Sequence, residues 1–179
     1  SMLRHRVIPA LLLRNGGLVK TVKFKDPKYV GDPINAIRIF NEKEVDEIIV
    51  LDIEASKRVT DPDFSLIEEL ATRCAMPLCV GGGIRTQRQA QRMFSLGVEK
   101  ISLQSGALAD ESLISKLCSE FGSQAIVASI DVRRRKFGGY RLFDSATGKT
   151  LHRDWMEHIK WLVAEGVGEI LLTSVDCEG

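Results

Sequence analysis

The chain has 179 residues, with 25 basic and 24 acidic side chains and a formal net charge of +1. So even a balance provides no broad field for nucleic acid or a membrane surface, and neither is expected as a partner. Apolar residues make up 44%, ordinary for one soluble domain with a real core, and the longest apolar runs, IIVLDI and EILLTSV, are far too short to span a bilayer.

The first residues are basic and no long apolar segment follows, which predicts no secretory leader. Cys74, Cys79, Cys118 and Cys177 form no CxxC pair and have no metal-ligand spacing with His5, His152 and His158. They read as buried thiols of a reducing, cytoplasmic setting. The scattered histidines are assigned no catalytic role, and no metal or organic cofactor is implied.

In chain order, RVIPALLL (6–13) reads as a first strand. In NGGLVKTVKFKDPKYVG (15–31), Val19, Val22 and Phe24 alternate with Lys20, Lys23 and Lys25, which predicts a two-stranded excursion or flap bearing cations. DPINAIRIFNEKE (32–44) sets Ile34, Ile37 and Phe40 on one helical stripe, with Pro33 near the first turn after Asp32. EIIVLDI (47–53) is the second strand. DFSLIEELATRC (63–74) is a helix carrying Phe64, Ile67 and Leu70 on one side. PLCVGG (77–82) is the third strand, and TQRQAQRMFSLG (86–97) a helix opened by Thr86 and closed by Gly97. KISLQ (100–104) is followed by a helix from Asp110 to Gly122. AIVASIDV (125–132) precedes a long insertion (133–154), in which YRLFD and SATGKT suggest a hairpin. Its GKT lacks the upstream glycine of a phosphate-binding loop and follows no core strand. A helix from near Asp154 to Gly166 leads into the last strand, EILLTSV (169–175).

These strands carry apolar residues consecutively, as strands covered on both faces do. Repeated strand–helix alternation predicts an α/β fold with a parallel sheet, either doubly wound or a (β/α) barrel. Polar strand ends at Asp52, Gly81–Gly83, Gln104–Ser105, Asp131 and Ser174–Asp176 favour the barrel. A closed barrel needs eight strands and about 250 residues. The expectation is therefore one incomplete domain over 1–179, with six of eight strands, and with strands 7 and 8 absent or supplied by another chain. The unpaired edge strands predict a homo-oligomer.

Two readings of Gly81-Gly82-Gly83 stand together. Glycines let backbone N–H groups converge on an anion at a helix start, and they also permit a tight strand–helix turn. Ser105, one strand later, adds a hydroxyl beside the same spot and favours the anion. Asp131 ends an apolar strand and is a candidate general acid or base. Asp52 reads as structural, held by neighbouring loop N–H groups. The first strand offers no acid, because Leu11, Leu12 and Leu13 occupy its end and leucine can exchange no proton.

RVIPALLLRNGGLVK, GDPINAIRIFNE, DEIIVLDI, PLCVGGGIRT, GVEKISLQSGAL, FGSQAIVASIDV and GEILLTSVDCEG together resemble the HisF family, the cyclase subunit of imidazole glycerol phosphate synthase, over essentially the whole chain. The resemblance implies a (β/α)8 barrel that takes ammonia from a glutaminase (HisH-like) partner docked on its N-terminal face and binds a phosphorylated small molecule on the other. It places the phosphate site on Gly82, Gly83, Gln104 and Ser105, the flap lysine on Lys20, and one catalytic aspartate on Asp131. The other catalytic aspartate falls on Leu12 and is lost. Ser174, Glu178 and Gly179 fall on the active face. The ring that gates ammonia entry falls on Arg6, Glu47, Lys100 and Glu169, with Glu99 and Gln124 facing the partner. The lost acid and the wording around it are closest to the WbuZ-type branch, linked to glycosyl amidation in surface-polysaccharide clusters. Three functions follow as expectations: an ammonia-conducting synthase subunit, a true cyclase of histidine biosynthesis, or an inactive fragment that assembles with itself.

Overall fold

The structure is a computed structural model and describes residues 8–14, 17–20, 28–58, 60–104, 108 and 110–175. Side-chain caps start its helices. Asp32 accepts from the Ile34 N–H ahead of α1 (Pro33–Lys43), Asp63 from Leu66 ahead of α3 (Phe64–Arg73), and Asp110 from Ser112 and Leu113 ahead of α5 (Glu111–Phe121). Asp154 accepts from Glu157 ahead of α6 (Trp155–Ala164). Thr86 and Gln89 form a reciprocal capping box at α4 (Gln87–Ser95), which satisfies two amide donors that the helix itself leaves unpaired. A short helix, α2 (Ile53–Arg58), follows the second core strand directly.

Six strands form the parallel core: β1 (Ala10–Arg14), β4 (Ile48–Asp52), β5 (Leu78–Gly81), β6 (Lys100–Leu103), β7 (Ile126–Arg134) and β10 (Glu169–Val175). Each pairs with the next in chain order, β1–β4–β5–β6–β7–β10, with no reversal. A doubly wound sheet reverses its order at a switch point, so this order excludes it. The excursion after β1 folds back as β2 (Gly17–Lys20) and β3 (Lys28–Gly31), both antiparallel. The insertion after β7 returns as β8 (Tyr140–Asp144) and β9 (Lys149–Leu151). β7 runs on to Arg134, beyond the expected 132, because β8 pairs with its extension from Asp131 to Arg134. Among the described residues β1 starts at Ala10, later than the expected residue 6; Arg6 and Val7 lie outside them.

Alternation along the strands sorts the core into two layers. Ile48, Val50, Leu78, Val80, Ile101, Leu103, Ile126, Ala128 and Ile130 pack with Ile37, Ile67, Leu70, Met93, Leu117 and Leu162 of the helices. The opposite side chains form a second cluster without helical members: Ile49, Cys79 and Val127, joined by Ile8, Leu51 and Leu171. Helices thus cover one face only, and the other packs on itself, as the inside of a (β/α) barrel does.

Curvature shows in the charges. Strands two apart in a flat sheet lie about 9.5 Å from each other. Yet Lys100 of β6 reaches Glu47 beside β4 on one side and Glu169 of β10 on the other. Only a sheet curled toward that face brings three such side chains together.

Candidate functional site

Register assigns each polar residue to a level inside the curled sheet. At the floor, where the strands begin, Lys100 Nζ lies 3.3 Å from Glu47 Oε1 and 3.4 Å from Glu169 Oε1. Glu47 is 2% exposed and Glu169 38%. Burial alone would lower the Lys100 pKa, but the two carboxylates outweigh it and hold the ammonium above its usual range. Glu99 immediately precedes β6, and Gln124 sits in a 3-10 turn (Ser123–Ala125) before β7; both are exposed at this same end. Arg6 lies outside the described residues.

Cys79 is in register with Lys100 beside the charge cluster, and burial pushes its thiol up to about 12. It is an inert wall of the interior. Higher up, the Ser102 and Ser129 hydroxyls hydrogen-bond to each other across β6 and β7, and Gln104 Nε2 donates to Ser102 Oγ at 3.4 Å. The sequence reading singled out neither Ser102 nor Ser129. The signal lay in small polar residues inside apolar strands, Ser102 in KISL and Ser129 in VASI.

At the roof, Asp131 shares a face with Ser129 and lies opposite Phe143 of β8 and Thr173 of β10. The Ser145 hydroxyl donates to Asp131 Oδ2 from the β8–β9 turn. Burial raises the Asp131 pKa; the Ser145 bond opposes this, and the nearby Asp144 adds to it. A carboxyl in that state holds its proton to higher pH than an exposed one, which suits proton exchange with a bound group. A cavity of about 290 Å³ borders Asp131 and Ser129, between Phe143 and Arg153. Ser145 was also absent from the sequence reading, since it comes from an insertion whose return path the sequence does not show.

Leu12 lies on the interior face of β1, in register with Leu51. The roof therefore has one acid on β7 and a hydrocarbon on β1. Ser174 is in register with Val132, on the helix-facing side, and Thr173 takes the inward place beside Asp131. Lys20 stands on β2 opposite Lys28. Ser105, Asp176, Glu178 and Gly179 lie outside the described residues.

The glycine turn has a strict steric cause. Gly82 has φ +99°, and a Cβ there would lie 2.2 Å from the Asp52 carbonyl oxygen. Gly83 has φ +78°, and its Cβ would meet Ala55 Cβ at 2.8 Å. β5 thus ends pressed against the β4–α2 turn. Asp52 Oδ1 fixes that turn by accepting from the Glu54 N–H at 3.1 Å and the Ala55 N–H at 3.0 Å. Gly81 pairs with Ser102, so this turn and Gln104 occupy neighbouring strand ends.

Among the described residues no group of His, Cys, Asp and Glu is arranged to hold a metal ion, and no helix is long and apolar enough to cross a membrane.

A family model described as "Histidine biosynthesis protein" matches residues 6–179. A Pseudomonas aeruginosa protein named "Putative imidazole glycerol phosphate synthase subunit hisF2" is 55% identical over 178 residues, 99% of this chain and 71% of the relative. A Vibrio vulnificus protein named "Putative imidazole glycerol phosphate synthase subunit hisF3" is 50% identical over 179 residues, 99% of this chain and 69% of the relative. A Streptococcus sanguinis protein named "Imidazole glycerol phosphate synthase subunit HisF" is 35% identical over 178 residues, again covering 99% and 71%. The chain spans about seven-tenths of the length of these relatives.

Proposed function

Because this chain belongs to the histidine biosynthesis protein family, as a HisF-like synthase subunit, we propose that it receives ammonia from a glutaminase and conducts it to an amination step. The observation that carries this reading is the Lys100–Glu47–Glu169 cluster at the interior floor. A glutaminase docked over Glu99 and Gln124 would release ammonia at that cluster. The Lys100 ammonium opposes a second cation, so neutral ammonia is the form admitted. The path then runs past Cys79 and the Ser102–Ser129 pair toward Asp131. No step on it needs a charge to enter the apolar interior.

At the roof, Asp131 is the proton-exchanging group. One carboxyl can serve as acid and then as base in successive steps, but it cannot be both at once on two sides of a substrate. A ring closure that needs an acid and a base on opposite strands finds Leu12 in the second place, and losing one such partner commonly costs about 10²–10⁴-fold in rate. We therefore assign the amination to an acceptor other than the histidine-pathway nucleotide, a sugar of surface-polysaccharide synthesis. Mixing the chain with its cognate glutaminase should give a complex and faster glutamine hydrolysis. If neither occurs, the reading fails.

The names of the relatives favour a second reading, cyclase activity on the bisphosphorylated nucleotide. Turnover with that nucleotide and ammonium salts, abolished by Asp131→Asn, would support it. Absence of turnover would leave the ammonia-conducting reading in place.

A further inference from the structure

The whole-chain charge of +1 conceals one uneven stretch. Segment 132–143 carries Arg133, Arg134, Arg135, Lys136 and Arg141 and no acid, so the rest of the chain is net acidic. This segment forms the hairpin of β7 and β8. The Arg135 N–H donates to the Gly139 carbonyl at 2.9 Å and closes its turn. Gly138 and Gly139 take φ +81° and +72° there, a left-handed pair that suits glycine. Phe137 stands at the apex of this turn with 90% of its surface exposed, more than any other large apolar side chain among the described residues. Lys136 lies over its ring, 5.8 Å from the centroid, and Arg135 is exposed two residues before it. At the base of the hairpin Tyr140 meets Trp155 of α6 edge-on, with ring centroids 6.2 Å apart, so the tip stands on a packed support.

An aromatic ring left in water gives up the free energy that burial would return. The surroundings of Phe137 indicate what would cover it. A stable protein interface takes about 800 Å² from each partner, more than residues 135–140 can offer. A bilayer surface asks for less: one apolar side chain at the boundary of headgroups and acyl chains, and cations whose heads stay level with the phosphates while their stems lie against lipid. Phe137 with Arg135 and Lys136 has that layout. We propose that the β7–β8 tip docks this chain on an anionic phospholipid bilayer, with Phe137 inserted and the neighbouring cations on the headgroups. Asp131 lies on β7 behind the tip, so docking turns the roof toward the lipid surface. Membrane contact goes beyond the proposed function and requires neither glutaminase nor ammonia, so the two ideas fail separately.

The probe is a vesicle of phosphatidylcholine with about one-third phosphatidylglycerol, set beside pure phosphatidylcholine, and binding is read by co-sedimentation. The wild-type chain should bind the anionic vesicles at about 0.1 M salt, leave them at about 1 M, and ignore the neutral ones. Phe137→Ala should weaken binding about tenfold, and the double variant Arg135→Gln/Lys136→Gln about thirtyfold. Arg38→Gln, which removes an exposed cation of α1, should stay within about twofold of the wild type. All four side chains are exposed, so their replacement leaves the core intact. Four results would overturn the proposal: no binding of anionic vesicles by the wild type, equal binding to neutral vesicles, binding undiminished in Phe137→Ala, or weakening by Arg38→Gln as large as that of the double variant. A wild type that ignores anionic vesicles but is retained on immobilised polyglutamate would mean an acidic protein partner in place of the bilayer.

Discussion

The floor and the roof of the curled sheet are built on opposite terms. At the floor a lysine is enclosed by two carboxylates, one of them buried, and each charge depends on the others. At the roof the half-buried Asp131 carboxyl has a hydroxyl from an insertion as its partner, and on β1 the interior face carries Leu12. A buried ionic cluster costs desolvation and is weak evidence of a role in stability. The roof offers one carboxyl on β7 and a leucine on β1. A charged floor below a roof with a single carboxyl is the arrangement that the proposed conduit requires.

The largest effect expected at the roof is steric. Gly82→Ala sets a Cβ against the Asp52 carbonyl at a positive φ, and should cost about 4 kcal/mol in chemical denaturation. A loss below about 1 kcal/mol would show that the β5 end can move away from β4. At the floor, Lys100→Met leaves Glu47 buried beside a second carboxylate, and should cost about 3 kcal/mol. Adding Glu47→Leu should recover much of that, because a well-packed apolar pair replaces an unbalanced charge. No recovery would mean that the cluster is a structural keystone and not an inlet. Ser145→Ala should be milder, about 1 kcal/mol, and should raise the Asp131 pKa further, since the hydroxyl favours the ionised form; NMR titration of the carboxyl would read it. Asp131→Asn should stabilise the protein at neutral pH. The folded state holds the Asp131 proton above the ordinary 3.8, so this group's contribution falls as pH rises through that value to the raised one, then levels off. The advantage of the Asn variant should therefore grow between about pH 3 and pH 7, and a constant difference would count against a raised pKa.

The sequence showed the strands because both of their faces are covered, which makes their apolar runs continuous, as in IIVL and ILL. It showed the helix starts because Asp32, Thr86, Asp110 and Asp154 cap them, and their ends because Gly97, Gly122 and Gly166 adopt positive φ. It did not show α2. That helix has six residues and its capping carboxylate, Asp52, also ends a strand. The partition of β10 was hidden too, since only pairing with β7 turns Thr173 inward and Ser174 outward. Of the site, Glu47, Lys100 and Glu169 were legible as a set only through the family resemblance, because they lie on strands far apart in sequence. Ser145 depends on the return register of an insertion, which composition does not fix.

The most direct test compares one variant from each end in the same assay. The cognate glutaminase is mixed with the wild-type chain, with Lys100→Met and with Asp131→Asn, at a temperature where circular dichroism shows all three folded, and glutamine hydrolysis is followed. The conduit account predicts that the wild type and Asp131→Asn stimulate hydrolysis alike and that Lys100→Met does not. Stimulation that survives Lys100→Met but disappears with Asp131→Asn would contradict it.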